Sequence, residues 1–244
     1  MTRTQQPALT AFAVGMIALG ILALIHGDFA LVWQPVPAGV PGRTAFAYAA
    51  GVIMLLGGAG LLFKDTASWS VRALLPYLLL WFFLKMPAVV AAPQVEGVWL
   101  GIGELALLLT GGWILFAKLA DLGGSSPLAL LASDRSIYLA QKIFGLSLIP
   151  IGLSHVVYVK ETADFVPAWL PHHVGWAYFT GGAHIAAGLG ILFGVLPRMA
   201  AMAEGAMIGL FTALAWGPAV LAAPKTRMPW TGFFISWVFG AAVW

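Results

Sequence analysis

The chain has 244 residues, of which 61% are hydrophobic and only 9% charged, with a net charge of +3. A water-soluble domain presents roughly 25% charged residues, so this composition excludes a soluble globular protein. The twelve Lys and Arg are scattered singly, which excludes a nucleic-acid track, and the lack of cysteine removes disulfides, thiol chemistry and protein-ligated iron–sulfur clusters.

Apolar runs of about 20 residues cross a hydrocarbon core. Eight are predicted, near 8–33, 43–64, 70–92, 97–118, 137–159, 173–195, 197–222 and 228–244. Lipid offers no partner for an open backbone, and the runs lack the alternation of barrel strands. The predicted fold is therefore all-α, a polytopic membrane protein of about eight transmembrane helices. The first run is too long for a signal-peptide core and shows no small-residue cleavage site, so it is read as a retained span. The last is short and ends at the chain terminus.

The chain also repeats itself. At a shift of 130, residues 35–63 agree with 165–193 at Val36, Pro37, Ala38, Pro41, Ala47, Tyr48, Gly51, Gly58, Gly60, Leu62 and Phe63. At a shift of 131, PAVVAAP (87–93) meets PAVLAAP (218–224), and Trp99 and Gly101 meet Trp230 and Gly232. Two blocks in one order predict a duplication: a degenerate first four-helix repeat over 1–120, a linker over 121–136 and a second repeat over 137–244. An even number of spans per copy makes the repeats parallel, related by an axis along the membrane normal. The loops PVPAGVP and FVPAWLP form rigid entries to the second helix of each copy, because Pro fixes φ and suits a first helical turn. Small residues four apart, Ala47 with Gly51 and Ala177 with Gly181, suit close helix approach.

Ionisable residues inside a bilayer are costly, so each is a candidate for function. Lys85 and Glu104 lie at one depth on either side of the turn at 93–97, which predicts an intramembrane ion pair, structural or engaged with a ligand or proton. The second copy has Trp216 and Ile235 in those places. His172 and His173 open the sixth span, and His184 shares a face with His173. His155 lies late in the fifth span, with His26 in an approximately matching place in the first, and Glu204 is within reach of His184. Three readings fit these imidazoles: metal ligation, hydrogen bonding or proton relay to a quinone, or polar groups at a wet boundary. No HExxH, CxxC or CxxCH motif occurs, so no metal and no intrinsic cofactor are predicted.

GLSLIPIGLSHVVYV, then FVPAWLPHHVGWAYFTGGAHIAAGLGILFGVLPRMAAM, then PAVLAAP resembles the DoxX-like membrane proteins. The pattern is a first helix with a late His, a P-x-W-x-P entry, a W-A-Y-x-T-G second helix and an Arg opening the third. The resemblance covers 137–244 well and 8–118 in degenerate form. It implies a four-helix membrane unit, with some relatives named as subunits of a thiosulfate:quinone oxidoreductase or as parts of redox complexes.

The expected function is that of an accessory subunit linked to quinone or redox metabolism, with no self-contained catalytic motif. Its ligand site would be built from His155, His172, His173, His184 and Glu204, with Trp169 and Tyr178 beside them. The expected partners are membrane lipid, a quinone and a redox enzyme subunit. A small-solute transporter with rocking halves and a purely structural scaffold are the alternatives. Seven Lys and Arg fall on the side of the termini and five on the other. This orients the chain with both termini inside, and the resemblance implies the cytoplasmic (inner) membrane.

Overall fold

The computed structural model describes residues 5–31, 33–122 and 126–242. Its helices are α1 (Gln5–His26), α2 (Arg43–Leu61), α3 (Lys64–Ala91), α4 (Glu96–Leu119), α5 (Asp134–Val157), the short α6 (Val159–Asp164), α7 (His173–Phe193), α8 (Pro197–Phe211), α9 (Gly217–Ala222) and α10 (Arg227–Ala242). A 3-10 turn covers Pro127–Ala132, and a π-helical turn, Thr212–Trp216, joins α8 to α9. No strand occurs among the described residues. The protein is an all-α polytopic membrane protein. Among the described residues, seven segments are long and apolar enough to cross a bilayer: α1, α2, α3, α4, α5, α7 and the continuous stretch Pro197–Ala222. The eighth expected span is α10, whose 16 described residues rise about 24 Å. Residues 243–244 of that span, Val32 of the first and 123–125 of the expected linker lie outside the described residues.

Local chemistry moved several boundaries. α1 stops at His26 rather than near 33 because Gly27 turns left-handed at φ 57° and Asp28 accepts the Phe29 amide at 2.7 Å. The chain then folds inward and buries Trp33 completely. α5 begins inside the expected linker because the Ser133 hydroxyl accepts the Ser136 amide at 3.3 Å, an N-cap.

The helices close a ring in which α1 packs on α2, α2 on α3, α3 on α4, α4 on α5, α5 on α7, α7 on α8, α8 on α10 and α10 back on α1. α4 and α10 also touch. The start of α1 and the end of α10 share one side, since the Trp237 indole donates to the Ala11 carbonyl at 2.8 Å. The loops after α1 and α5 lie on the opposite side, called here the far side.

The same contacts recur in the two halves. A Cβ on Gly20 would sit 2.7 Å from the Gly51 carbonyl, and one on Gly152 would sit 2.5 Å from the Gly181 carbonyl. Helices α1 and α2 therefore cross with backbones in contact, as α5 and α7 do. The indoles of Trp99 and Trp230 donate to the carbonyls of Pro93 and Pro224, both at 2.8 Å. Gly51 faces the Cβ of Ala23, whereas Gly181 faces the Cβ of His155. His155 thus corresponds to Ala23, and the expected match with His26 is corrected. The slip between shifts of 130 and 131 also has a physical cause. Buried Glu204, Gly205 and Ile208 follow buried Leu74, Leu75 and Leu78 at 130. The π turn then absorbs one extra residue, because its bonds run i to i+5, and the matched prolines beyond it follow at 131.

Candidate functional site

The second half carries polar side chains where the first has a hydrocarbon core. His184 stands at the position of Met54 and Glu204 at that of Leu74, and all four are at most 2% exposed. α7 turns its buried face, Ala177, Thr180, Gly181, His184, Ala187 and Gly188, toward its neighbours. Glu204 comes from the middle of α8, across a short turn that begins at Gly194 with φ 76° and ends at Leu196 with φ 47°. His184 Nδ1 and Glu204 Oε1 are 2.7 Å apart. His184 Nε2 and Glu204 Oε2 are both buried without a hydrogen-bond partner.

Charge decides which proton the pair exposes. In hydrocarbon the pair is held electrically neutral, because an uncompensated carboxylate at this depth is expensive. Neutrality is met by imidazolium with carboxylate, or by imidazole with a protonated carboxyl donating to Nδ1. In either case Nε2 carries a hydrogen, so the orphaned ring atom is a buried donor awaiting an acceptor.

His155, half-buried at the crossing of α5 and α7, completes the cluster. Its ring lies 5.0 Å from that of His184, edge to face at 87°. The Thr180 hydroxyl donates to the Trp176 carbonyl at 2.9 Å and lies 2.9 Å from His155 Nδ1. With its own hydrogen spent, Thr180 accepts from Nδ1–H, which leaves His155 Nε2 as an acceptor. Phe211 flanks both imidazoles, at 5.9 Å and 5.8 Å between centroids, and the π turn starts at the next residue. There Thr212 donates to the Ile208 carbonyl at 2.9 Å and accepts from the Ser236 hydroxyl at 2.8 Å, tying α8 to α10.

The remaining expected site residues lie elsewhere, which corrects the seven-residue pocket. Trp169 is 70% exposed and Tyr178 is 51% exposed, the latter turned about 100–120° around α7 from Ala177 and His184. His172 is exposed and His173 half-buried at the first turn of α7, about 16 Å of helix rise from His184. Among the described residues no three His, Asp or Glu converge as a metal site. Lys85 and Glu104 lie on facing stretches of α3 and α4: the Lys85 amine rests on the bare backbone of Gly101, one turn before Glu104.

Two members of the cluster escaped the sequence reading. Thr180 was legible, since it lies four residues before His184 on one helical face. Phe211 was not, because a π turn leaves no compositional mark.

The fold and this cluster define a class, an all-α membrane bundle with a buried His184–Glu204 pair and a second, half-buried histidine beside it. In comparisons with protein-family models, curated proteins and solved structures, nothing matches the chain.

Proposed function

We propose that the protein is a tandemly duplicated, DoxX-like protein of the cytoplasmic membrane whose second half binds the head group of a quinone or quinol. It acts as an accessory subunit to a redox partner, with both termini cytoplasmic. The observation that carries this reading is the His184–Glu204 pair at mid-bundle, closed to solvent, with a donor left unmet at His184 Nε2. A quinone carbonyl accepts from that donor, and a quinol hydroxyl can donate to His155 Nε2. An apolar tail on the same ligand matches the lipid-facing surroundings. Phe211 lies beside both imidazoles, in place to stack on a ring. The chain brings no redox centre of its own, so electrons come from the partner. The recurring loop and helix register support the duplication.

The test is binding of a fluorescent quinone analogue to purified protein in nanodiscs. His155→Ala with His184→Met is expected to lower affinity at least about tenfold, the loss of about 1.4 kcal/mol. Unchanged affinity in that variant would remove the quinone reading.

A further inference from the structure

The first half carries a charged crevice on the side of the chain termini. It measures about 810 Å³ and lies between the start of α1, the end of α2, the start of α3 and the end of α4. Leu9, Leu61 and Leu119 give it apolar walls, and Lys64, Asp65, Arg72 and Asp121 give it charge. At the shift of 130, Lys64, Asp65 and Arg72 are matched by Gly194, Val195 and Met202, and Trp69 by Met199. Val195, Met199 and Met202 are exposed apolar side chains. Arg198 stands at the place of Ser68. The paired charges of the crevice therefore belong to one half.

Hydrogen bonds build one wall. Arg72 donates from Nε to the Ala120 carbonyl at 2.9 Å and from Nη2 to the Asp121 carbonyl at 2.8 Å, and the Ser68 hydroxyl donates to the Ala120 carbonyl at 2.7 Å. These bonds hold the end of α4 against α3, with Asp121 at φ 46°. The half-buried guanidinium also lies 5.2 Å over the Trp69 ring. Carbonyls orient a guanidinium without cancelling its charge. Among the described residues no carboxylate comes within ion-pair distance of Arg72 or Lys64, and no cation pairs with Asp65 or Asp121. A planar guanidinium fixed in this way suits a phosphate oxygen.

The balance of charge narrows the ligand. Two cations and two carboxylates make the lining neutral as a whole, so a purely anionic ligand would leave the acids unanswered. A ligand that carries both a phosphate and an ammonium answers both signs, and an ammonium with N–H donors can hydrogen-bond a carboxylate. Exposed Leu62, Phe63 and Trp69 stand at the rim, where apolar chains and an interfacial indole meet the edge of the bilayer. From this arrangement we infer that the crevice binds the head group of phosphatidylethanolamine from the adjoining leaflet. The phosphate goes to Arg72 and Lys64, the ammonium to Asp65 and Asp121, and the acyl chains run along Leu62, Phe63 and Trp69. The site is separate from the His184 cluster and does not depend on its reading.

Native mass spectrometry of the delipidated protein in detergent tests this, with titration by phosphatidylethanolamine, phosphatidylcholine or phosphatidylglycerol. Phosphatidylethanolamine is expected to bind at least about tenfold more tightly than either of the others, the worth of one charge-assisted hydrogen bond. Arg72→Gln should weaken its binding at least about tenfold, and Lys64→Gln, at an exposed side chain, about threefold. Arg72 also holds the end of α4, so the acids supply a second arm that leaves this wall intact. Asp65→Asn with Asp121→Asn should keep phospholipid binding but remove the preference for phosphatidylethanolamine over phosphatidylcholine. Inorganic phosphate at the same concentration should not displace the lipid. Equal affinity for the three lipids, a preference untouched by the two Asp substitutions, or displacement by inorganic phosphate overturns the inference.

Discussion

Arg227, the first residue of α10, donates from Nη1 to Asp28 Oδ2 at 3.1 Å, so the last helix is tied to the loop after the first. Arg43 at the start of α2 bonds the other oxygen of the same carboxylate. Arg227 also donates to the Asp28 and Phe29 carbonyls. One half-buried carboxylate therefore joins three elements on the far side and closes the ring between the halves. Burial works to raise the Asp28 pKa. The Phe29 amide, the hydrogen bonds from Arg43 and Arg227 and the Arg43 charge outweigh it, so the carboxyl sits below its ordinary value.

The sign of the pH dependence follows. A depressed carboxyl contributes stability that is present above its unfolded value, near 3.8, and is lost as pH falls through the lower folded value. Asp28→Asn is expected to cost about 1–2 kcal/mol at neutral pH and to flatten the acid limb of a thermal-unfolding profile in detergent. An acid limb unchanged by the substitution would assign that limb to other groups.

The buried His184–Glu204 pair makes the second prediction, and here the first half supplies the control. Removing one partner of a buried pair leaves an uncompensated polar group, at a cost of about 3–5 kcal/mol. His184→Met alone or Glu204→Leu alone should therefore lower Tm clearly. The double variant restores the residues that Met54 and Leu74 already pack in the same scaffold, and such replacements are neutral or stabilising by about 1–4 kcal/mol. A double variant as stable as the parent but unable to bind the quinone analogue would show a pair kept for chemistry at the expense of stability. If the double variant were less stable than both singles, the matching of the two cores would be wrong.

Much of this arrangement could be read from residue order. The helices followed from apolar length, and the matched glycines and tryptophans recur as matched contacts. Counting outward from one turn put Lys85 and Glu104 at neighbouring levels of α3 and α4. What escaped was register and direction. His26 and His155 sit similarly in sequence, yet the crossing glycines pair His155 with Ala23, because helix approach sets register and loop length does not. Tyr178 and Trp169 carry suitable chemistry but face outward, where apolar side chains are as acceptable as in the core. In lipid the inside and outside of a helix differ too little in hydrophobicity for periodicity to tell them apart.

Glycine at the α5–α7 crossing gives a prediction with its own internal control. A Cβ on Gly188 would lie 2.6 Å from the Gly145 carbonyl, and one on Gly145 would lie 2.8 Å from the Gly188 carbonyl. Neither backbone can yield without separating the helices that present His155 and His184. Gly188→Ala is expected to cost about 1–3 kcal/mol as overpacking and to weaken analogue binding. A Cβ on Gly182, in the same helix, would meet nothing within 4 Å. Gly182→Ala should therefore stabilise by about 0.5–1 kcal/mol through helix propensity alone. Equal Tm shifts in the two variants would contradict the tight crossing.

The last prediction concerns His172, which stands where the first half has Gly42. Both residues precede the second helix of their half in a left-handed conformation, Gly42 at φ 70° and His172 at φ 59°. Glycine adopts that conformation freely, whereas a side chain there costs roughly 1–2 kcal/mol. The loop geometry was therefore retained although the residue suited to it was not. His172→Gly relieves the strain but adds freedom to the unfolded chain, worth roughly 0.5–1 kcal/mol, so a net gain of about 0.5–1 kcal/mol is expected. Since His172 is exposed and about 18 Å of helix rise from His184, analogue binding should stay unchanged. A stabilised variant with intact binding identifies the imidazole as a strained surface group. A stabilised variant that binds less ligand would make it a contact on the route to the site, the pattern in which backbone strain is kept for function.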